Sequence, residues 1–342
     1  MVLVTGGSGF IGSHIVEALV AAGREVRVLD LRRPIVDLPP GVEVIAGDVR
    51  DASTVAAALA GVDAVCHQAA MVGLGVDLGD ISDYVSHNDL GTAVLLRELA
   101  RTPSVQRLVL ASSMVVYGEG RYRCAEHGIA RPGPRAASDL EAGRYDPPCP
   151  ACGARLVPEA VPEDAPTDPR NVYAATKLHQ EHLSAALARE TGIPVTALRY
   201  HNVYGPRMPR DTPYAGVAAL FAAEIAAGRP PRVFEDGGQL RDFVHVRDIA
   251  RANVLALTSA EAVPGAFNVC SGTPRSVLDM AQALHAAAGG AGPEPQVVGG
   301  HRLGDVRHVF ADARHAEATL GFTAREDFTA GVAELSASLS AA

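Results

Sequence analysis

The residue types and spacing of Tyr173 and Lys177 suggest chemistry. They lie four positions apart in a helical stretch, so their side chains share one helix face. An ammonium beside a phenol lowers the pKa of the phenol from about 10 towards neutrality, and the phenolate is then a general base for an alcohol. Ser112 and Ser113 end a strand-like run upstream, at the edge where parallel sheets bind ligands. Together these side chains indicate proton transfer at a hydroxyl group, although an exposed Tyr and Lys at this spacing are common without one.

A second candidate set lies in residues 121–159, where Cys124-x-x-His127 and Cys149-x-x-Cys152 form two chelating pairs 22 residues apart (149 − 127). Two short-spaced pairs of sulfur and nitrogen ligands are typical of structural zinc. The stretch is rich in Pro and Arg, so a metal would supply folding energy that a small apolar core cannot. With four protein ligands, no position is left for catalysis. Free thiols on a disordered loop, or one disulfide (Cys124–Cys149 or Cys149–Cys152), are the alternatives.

Residues 5–12 form a glycine-rich turn after the first predicted strand. Gly6, Gly9 and Gly12 fit G-x-x-G-x-x-G, and Gly7, Gly9 and Gly12 fit G-x-G-x-x-G. Glycines let a pyrophosphate approach the backbone, and the following helix N-terminus supplies N–H donors and partial positive charge. The flanking strand and helix are the context that this motif requires.

Asp30 follows the second predicted strand, eighteen residues after Gly12 (30 − 12). A carboxylate at this place accepts hydrogen bonds from the ribose hydroxyls of NAD and repels the 2′-phosphate of NADP. Arg32 and Arg33 come next, so NADP stays open as an alternative. The residues favour NAD.

Alternating strand and helix patterns must position these groups. Strands are predicted at residues 2–5, 25–29, 42–46, 64–67, 107–111 and 195–200, and helices at 11–22, 52–59, 90–99 and 172–191. This order predicts a parallel sheet covered by helices on both faces. After about Gly205 short strands, turns and helices mix. The predicted fold class is α/β, a Rossmann-type doubly wound parallel sheet with a smaller mixed α/β C-terminal substrate domain.

Several further motifs follow one another along the chain: Gly47-Asp48-Val49, His67-Gln68-Ala69-Ala70, Ser112-Ser113 before Val116-Tyr117-Gly118, Tyr173 with Lys177, Leu198-Arg199-Tyr200-His201-Asn202-Val203-Tyr204-Gly205-Pro206, Arg241-Asp242-Phe243-Val244-His245-Val246, and Arg302 with Asp305. With the glycine turn, they resemble in type and order the extended short-chain dehydrogenase/reductases, specifically the nucleotide-sugar epimerases and dehydratases similar to UDP-galactose 4-epimerase. The resemblance covers nearly the whole chain except residues 121–159.

The resemblance implies a role for each matching residue. Ser113 is implied as the catalytic hydroxyl, Tyr173 as the base and Lys177 as the ligand of the nicotinamide ribose. Implied cofactor contacts are Gly6, Gly9, Phe10, Ile11, Gly12, Asp30, Asp48, Val49, Ala69, Ala70, Asn88, Tyr173, Lys177 and Tyr200. Implied substrate contacts are Ser113, Tyr173, Asn202, Arg241 and Arg302, and the two arginines would clamp a diphosphate through charge-assisted bonds.

The two residues after Ser113 bear on the reaction. At this place, before the Val-Tyr-Gly element, dehydratases of this family carry a motif that resembles Thr-Asp-Glu, and UDP-glucuronate decarboxylases usually carry a Glu. This chain has Met114 and Val115 at the corresponding positions, and neither side chain can move a proton. The resemblance therefore implies an NDP-sugar 4-epimerase. Such an enzyme oxidises C4 with tightly bound NAD, the 4-keto sugar rotates in the site, and its other face is then reduced. An NDP-4-ketosugar reductase or NDP-sugar dehydrogenase with exchangeable cofactor stays open, as does a catalytically silent NAD-binding sensor.

The identity of the sugar is not readable from the motifs. His201, Arg207 and Arg210 could meet a sugar carboxylate such as that of UDP-glucuronate. A UDP-hexose or a TDP-deoxyhexose is equally compatible with the sequence.

Composition bounds the partners. Net charge is −9, with 48% hydrophobic and 20% charged residues, so the chain lacks the large basic face of a nucleic-acid binder. It has no apolar stretch of about 18 residues and no leader-like start, so we expect a cytoplasmic protein without membrane contact. The expected domains are 1–205, with 121–159 as an inserted flap that shapes or covers the sugar pocket, and 206–342. Family resemblance also implies a homodimer packed through helices, including residues 173–189.

Overall fold

A computed structural model describes residues 1–73, 78–209, 216–290, 292–302 and 305–340. The strands are β1 (Val2–Thr5), β2 (Val26–Asp30), β3 (Glu43–Ala46), β4 (Ala64–His67), β5 (Arg107–Ser113), β6 (Arg121–Cys124), β7 (Gly128–Ala130), β8 (Val157–Glu159), β9 (Val195–Tyr200), β10 (Asn202–Tyr204), β11 (Arg232–Val233), β12 (Leu240–His245), β13 (Gly265–Val269), β14 (Pro274–Ser276) and β15 (Gln296–Val297). The α-helices are α1 (Phe10–Ala21), α2 (Ala52–Ala58), α3 (Ile81–Tyr84), α4 (Gly91–Leu99), α5 (Ala137–Glu141), α6 (Val172–Thr191), α7 (Val217–Ala226), α8 (Val246–Thr258), α9 (Val277–Ala287), α10 (Arg314–Leu320) and α11 (Phe328–Ser340).

The central sheet has seven parallel strands in the order β13-β9-β5-β4-β1-β2-β3. This confirms the predicted Rossmann-type parallel sheet, whose strand order the sequence had not predicted. All four residues of β1 and of β4 are buried, which is typical of strands covered on both faces. On one face they pack against apolar residues of α1 and α8, and on the other against those of α2, α4 and α6. The apolar faces of these helices cover both faces of the sheet. Only the ends of the strands are then left for chemistry.

The strand order reverses at β1, which lies between β2 on one side and β4 on the other. Ligands of open α/β sheets bind outside the carboxyl ends of the strands at such a switch point. The glycine turn after Thr5 and the segment after His67 therefore leave the sheet side by side.

Strand β5 continues two residues beyond its predicted end and stops at Ser113, which pairs in register with Tyr200 of β9. The predicted helix at 90–99 also begins differently, because a π-helical turn, Val85–Leu90, precedes α4. Such turns often mark functional sites, and this one carries Asn88.

The C-terminal region contributes both to the sheet and to a smaller mixed layer. Strand β13 completes the sheet edge, and α8 packs along α1. The strands β10-β12-β14 and helices α7, α9 and α11 enclose a separate core with Phe221, Phe243, Met280 and Leu335. The domain boundary at residue 205 stays a prediction. The elements β13 and α8 follow that residue in sequence, but they pack with the central sheet and with α1.

Residues 121–159, the expected flap, are folded, so the structure does not show the alternative of a disordered loop. Strand β6 pairs antiparallel with both β7 and β8, and Tyr122, Leu140 and Leu156 are buried. These strands have only three or four residues, too few for an alternating pattern to be readable in the sequence. Among the described residues, no helix combines the length and apolarity needed to cross a membrane.

Candidate active site

The predicted catalytic residues come from two elements that meet at the sheet edge. Ser113 is the last residue of β5, and its Oγ accepts a hydrogen bond from the Val115 amide (3.4 Å). Tyr173 lies in the first turn of α6, which Asn171 caps by accepting from the Ala174 amide (2.8 Å). This cap fixes the start of α6, so the side chain of Tyr173 reaches the end of β5.

The structure brings Ser113, Tyr173 and Lys177 together. Ser113 lies beside the Tyr173 hydroxyl and opposes the rise in the pKa of that phenol. The Lys177 Nζ lies 5.9 Å from the centre of the Tyr173 ring and donates a 2.9 Å hydrogen bond to the Ala111 carbonyl. A phenol, a hydroxyl and a buried ammonium therefore share one small volume.

The pKa of Tyr173 differs from the sequence prediction. Burial raises the pKa of this phenol, and Ser113 only partly opposes the rise. The ammonium of Lys177 is bound to a carbonyl and does not offset the burial. Burial also lowers the pKa of Lys177 to about 8, against the opposing effect of Glu181 and then of Asp89. The expectation that the lysine alone brings the phenol towards neutrality was wrong for this state, because helical spacing carries no information about burial.

Glu181 and Thr176 support this trio and were missed by the sequence reasoning. Glu181 lies four residues after Lys177, one turn along the same helix face, and this spacing was a readable signal. Thr176 accepts a 3.0 Å hydrogen bond from the Asn88 amide, a contact across 88 residues that had no local signal.

The glycine turn forms a tight approach to the sheet. Gly6 has a φ of +72°, and its amide donates to the Leu29 carbonyl (2.9 Å). A Cβ on Gly12 would lie 2.1 Å from the Gly6 carbonyl oxygen, so the contact between turn and helix requires glycine there. A Cβ on Gly9 would meet no protein atom closer than 3.6 Å. The protein packing does not require glycine at position 9, so that space is available to a ligand.

The N-terminus of α1 has the features of an anion site. The helix begins at Phe10, followed by Ile11, and is preceded by Gly9, which has no capping side chain. The first amides of a helix have no intrahelical partners and carry partial positive charge. Ser8 is buried, and its hydroxyl has no hydrogen-bond partner among the described residues. These donors and the open space at Gly9 fit a dinucleotide pyrophosphate.

Asp30 is held beside this turn. Its carboxylate accepts hydrogen bonds from the Ser8 amide (3.0 Å) and the Arg32 amide (2.9 Å). Both bonds leave lone pairs of the carboxylate for the hydroxyls of a ribose. The position therefore fits the acidic residue of an NAD site.

Asp48 and Val49 follow β3 at the neighbouring sheet edge. The Arg50 guanidinium hydrogen-bonds the Asp48 carboxylate and holds its pKa below the ordinary value. Val49 is buried and lies so close to Gly91 that a Cβ there would be 2.8 Å from the valine side chain. The fixed carboxylate suits the edge of an adenine, and the apolar side chain suits its face.

The segment after β4 is pinned by hydrogen bonds. The Ala69 amide donates to the Thr5 hydroxyl (3.2 Å), and half-buried Ala70 follows. The Asn88 side chain bonds both backbone groups of Met71, at 2.7 and 3.0 Å. Because Asn88 also bonds Thr176, it links this cofactor edge to the catalytic helix.

Tyr200 lies beneath the site in a polar network. Its hydroxyl donates to Gln68 (3.1 Å) and accepts from the Asn253 amide (2.7 Å). Burial raises the pKa of this phenol, so it is neutral at physiological pH. Because Gln68 and Asn253 already occupy its hydroxyl, Tyr200 supports the floor of the site.

Arg241 is a half-buried cation in the region predicted to bind substrate. Its guanidinium donates to the carbonyl oxygens of Leu240 (2.8 Å), Arg307 (2.9 Å) and Val306 (2.7 Å). These bonds use three of the five guanidinium N–H donors and leave two. Burial lowers the pKa of Arg241, an effect that Asp305 and then Glu119 oppose. These carboxyl groups offset the burial only in part, so the two remaining donors suit an anionic ligand.

The other predicted substrate contacts lie around Arg241 in different ways. Arg302 stacks on the Phe234 ring, with its guanidinium carbon 5.2 Å from the ring centre. Burial raises the pKa of Asp305. Arg241 and then Arg302 oppose this rise, so both arginines face the Asp305 carboxyl group. The Asn202 Oδ1 is buried without a hydrogen-bond partner among the described residues.

The two described members of the set proposed for a sugar carboxylate, His201 and Arg207, do not form a cationic pair. Burial lowers the pKa of His201 to about 3, so its ring is neutral. Arg207 donates to Glu17 (2.7 Å) and Ser13 (3.2 Å) of α1. Arg210 lies outside the described residues. Nothing in the placement of His201 and Arg207 favours a uronic acid.

The four Cys and His residues of the insertion converge. The ligand atoms of Cys124, His127, Cys149 and Cys152 all lie within 4.8 Å of one another. The Cys124 Sγ is 3.5 Å from the His127 Nδ1 and 3.7 Å from the Cys152 Sγ, and the Cys149 Sγ is 3.9 Å from the same Nδ1. A tetrahedron with zinc–sulfur bonds of about 2.3 Å has edges of about 3.7 Å.

All five cysteines are free thiols, so neither alternative disulfide is present. A hydrogen bond with His127 lowers the pKa of Cys124 to about 6. The second pair is closed by a tight turn, in which the Gly153 amide donates to the Cys149 carbonyl (2.8 Å) with Gly153 at a φ of +74°. The donor set and its spacing fit a tetrahedral metal ion.

Comparison with known proteins decides the family. A sequence profile of the NAD dependent epimerase/dehydratase family matches residues 2–137 and 150–270. The chain belongs to this family. The match skips residues 138–149, which lie within the insertion, and does not extend to residues 271–342.

Members of the NAD dependent epimerase/dehydratase family resemble this chain along its whole length. It is 36% identical over 345 residues to a dTDP-L-rhamnose 4-epimerase of Burkholderia thailandensis, covering 98% of this chain and 93% of that protein. A UDP-glucose 4-epimerase of Corynebacterium glutamicum is 29% identical over 338 residues, covering 94% and 90%. The crystal structure of Thermus thermophilus UDP-glucose 4-epimerase in complex with NAD superposes with a TM-score of 0.78 at 31% identity, covering 99% and 98% of the two chains.

Proposed function

We propose that this protein is an NDP-sugar 4-epimerase. The observation that carries the proposal is the joint placement of Ser113, Tyr173 and Lys177 at the end of β5, directly before the apolar Met114 and Val115. This site has the groups for proton transfer at one hydroxyl but lacks, at those two positions, the acid pair that elimination of water requires. The similarity to two 4-epimerases over nearly the whole chain supports the same conclusion.

Each residue has a defined task in the proposed reaction. Tyr173 takes the proton of the sugar 4-hydroxyl as general base and returns it after inversion. Ser113, beside the same phenol, holds the reacting oxygen in line. The positive N-terminus of α6 stabilises the phenolate, and Lys177 would hold the nicotinamide ribose. Bound NAD supplies the acceptor, and later the donor, of the C4 hydride.

The cofactor would lie across the switch point of the sheet. The proposed contacts are the α1 N-terminus with Gly9 for the pyrophosphate, Asp30 for the adenine ribose, Asp48 with Val49 for adenine, and Lys177 for the nicotinamide ribose. Since an epimerase regains its starting oxidation state in each turnover, it keeps its NAD. Denatured protein should release close to one NAD per chain, whereas a reductase that exchanges its cofactor releases little.

For the substrate we propose that the diphosphate binds the two remaining donors of Arg241, with Arg302 and Asn202 beside it. A doubly charged anion would form charge-assisted hydrogen bonds with this half-buried guanidinium. The 36% identity to a dTDP-L-rhamnose 4-epimerase makes dTDP-L-rhamnose the first sugar to test. UDP-hexoses and UDP-glucuronate are the other candidates, and a panel of these nucleotide sugars separates them.

We further propose that Cys124, His127, Cys149 and Cys152 bind one structural zinc ion. The near-tetrahedral spacing of their ligand atoms supports this, as does the small apolar core of the insertion, which is formed largely around two of the cysteines. A reducing compartment keeps such thiols available, which supports a cytoplasmic location. Metal analysis of protein never exposed to chelators should find about one zinc per chain, and protein free of zinc would refute the site.

We also propose a homodimer. Ile81, Val85 and Leu90 are exposed apolar residues on consecutive helical turns that pack beside α6. A second copy of this face would cover them, in agreement with the family resemblance. Light scattering should give twice the chain mass, and Leu90→Glu should give monomers.

A further inference from the structure

The position of the Arg241 guanidinium depends on a segment far away in sequence. Two of its three carbonyl acceptors belong to Val306 and Arg307. Val309 continues the contact, since it forms a parallel bridge with Arg241. We call residues 305–309 the carbonyl segment. Any displacement of this segment moves the acceptors that orient the guanidinium.

The carbonyl segment is held on its other side at the start of the insertion. One oxygen of Glu119, Oε1, accepts hydrogen bonds from the amides of Arg307 (2.8 Å) and His308 (3.1 Å). The same oxygen accepts from the Tyr122 hydroxyl on β6 (2.5 Å). In addition, the Gly120 amide donates to the His308 carbonyl (3.0 Å). Glu119 therefore links the first strand of the insertion to the segment that cages Arg241.

A buried ion cluster fixes the segment a second time. The Glu235 carboxylate pairs with Arg135 of the insertion (2.8 Å) and with Arg307 (2.9 Å), and these three side chains are at most 4% exposed. Arg135 also donates to the Asp305 carbonyl (2.7 Å), and Asp146 of the insertion accepts from Arg307 (2.8 Å). Buried ion pairs with many bonds add little net stability but hold one geometry.

We propose that the insertion positions Arg241 for the nucleotide diphosphate, through Glu119 with Tyr122 and through Arg135 with Asp146. The inference rests on the proposed assignment of Arg241 to the diphosphate. Glu119 and Arg135 are positioning residues, since neither touches the proposed reacting atoms. The insertion then sets the affinity for the nucleotide and not the rate of hydride transfer. This role differs from that of a cover over the sugar.

The test compares nucleotide affinity in two variants of Glu119 with a matched control. UDP and dTDP are titrated into NAD-loaded protein by calorimetry, and the tighter ligand is then used throughout. Glu119→Ala should weaken its binding at least tenfold. Glu119→Gln keeps a carbonyl oxygen for all three donors and should stay within threefold. Arg144→Ala, which removes an exposed ion pair with Asp139 on α5, should leave the affinity unchanged.

Kinetics and cofactor content separate positioning from general damage. Glu119→Ala should raise KM for the nucleotide sugar at least tenfold and change kcat less than threefold, with NAD and zinc contents equal to the wild type. If Glu119→Ala is recovered without NAD, the same titration is carried out with Asp146→Ala. Asp146 is 40% exposed, and its substitution affects only the second link.

Nucleotide affinity within twofold of the wild type, in a variant that retains NAD, would overturn the positioning role while leaving the epimerase proposal intact. Conversely, a protein that inverts no sugar but binds UDP or dTDP through Glu119 would retain the positioning role and lose the proposed function. Failure of the wild type to bind either nucleotide would contradict both.

Discussion

The Lys177 Nζ lies 5.9 Å from the centre of the Tyr173 ring and donates its 2.9 Å hydrogen bond to the Ala111 carbonyl, not to the phenol. The lysine therefore makes no direct bond to the phenol and is placed as a ligand for a ribose, while Ser113 lies beside the phenol hydroxyl and opposes the rise in its pKa. This division of tasks underlies the first two predictions.

Tyr173→Phe should abolish epimerisation while leaving the cofactor in place. The variant removes only the proton acceptor, so we expect kcat to fall at least about a thousandfold, in the range that acid–base groups contribute. The NAD released on denaturation should match that of the wild type. Full activity of this variant would remove Tyr173 from the mechanism.

Lys177→Met should inactivate the enzyme and stabilise the fold at neutral pH. Burial lowers the pKa of Lys177 to about 8 in the folded state, against an ordinary value of about 10.4. Below pH 8 the folded protein therefore carries the full cost of a buried charge, and this cost disappears as pH rises from about 8 to 10.4. We expect a Tm gain of a few degrees at pH 7 that shrinks by pH 10, measured by scanning calorimetry. A gain that grows with pH would contradict the burial of this charge.

Gly9→Ala should separate cofactor binding from folding. Gly9 has a φ of −88°, and a Cβ there meets no protein atom within 3.5 Å, so alanine fits the protein itself. The methyl group would occupy the space proposed for the pyrophosphate. We expect at least a tenfold loss of bound NAD with an unchanged Tm of the cofactor-free protein. Gly133→Ala, also free of close contacts, is the control and should keep its NAD.

Cys149→Ser should remove the zinc and unfold the insertion before the rest of the chain. Metal binding supplies much of the folding energy of small metal-bound units. We expect loss of the metal and rapid protease cleavage within residues 121–159, while the NAD content is retained. Cys270→Ala, a buried thiol outside the cluster, should keep both the metal and the protease resistance. Equal resistance of both variants would show that the insertion does not need a metal.

The sequence predicted the features that depend on local order. The strand and helix succession, the glycine turn and the Tyr173 and Lys177 spacing all follow from short-range periodicity. The two chelating pairs of the insertion were also visible, because each pair spans only four residues. The fold class and family were therefore readable before the structure.

What the sequence did not reveal depends on burial and on distant contacts. The pKa of Tyr173 was predicted with the wrong direction, because only the folded chain shows that the phenol is enclosed. The bond between Glu119 and the Arg307 amide joins residues 188 apart, and no spacing rule connects them. The short strands of the insertion were not predicted for a related reason, since their stability comes from packing and not from an alternating pattern.

The central claim is that this site inverts C4 of a nucleotide sugar with its own resident NAD. The most direct measurement is proton NMR of dTDP-L-rhamnose, and then of UDP-hexoses and UDP-glucuronate, incubated with purified protein without added cofactor. We predict that at least one substrate converts to an equilibrium mixture with its C4 epimer, in many turnovers per chain. No inversion of any of these sugars, or turnover only with stoichiometric NADH or NADPH, would contradict the account.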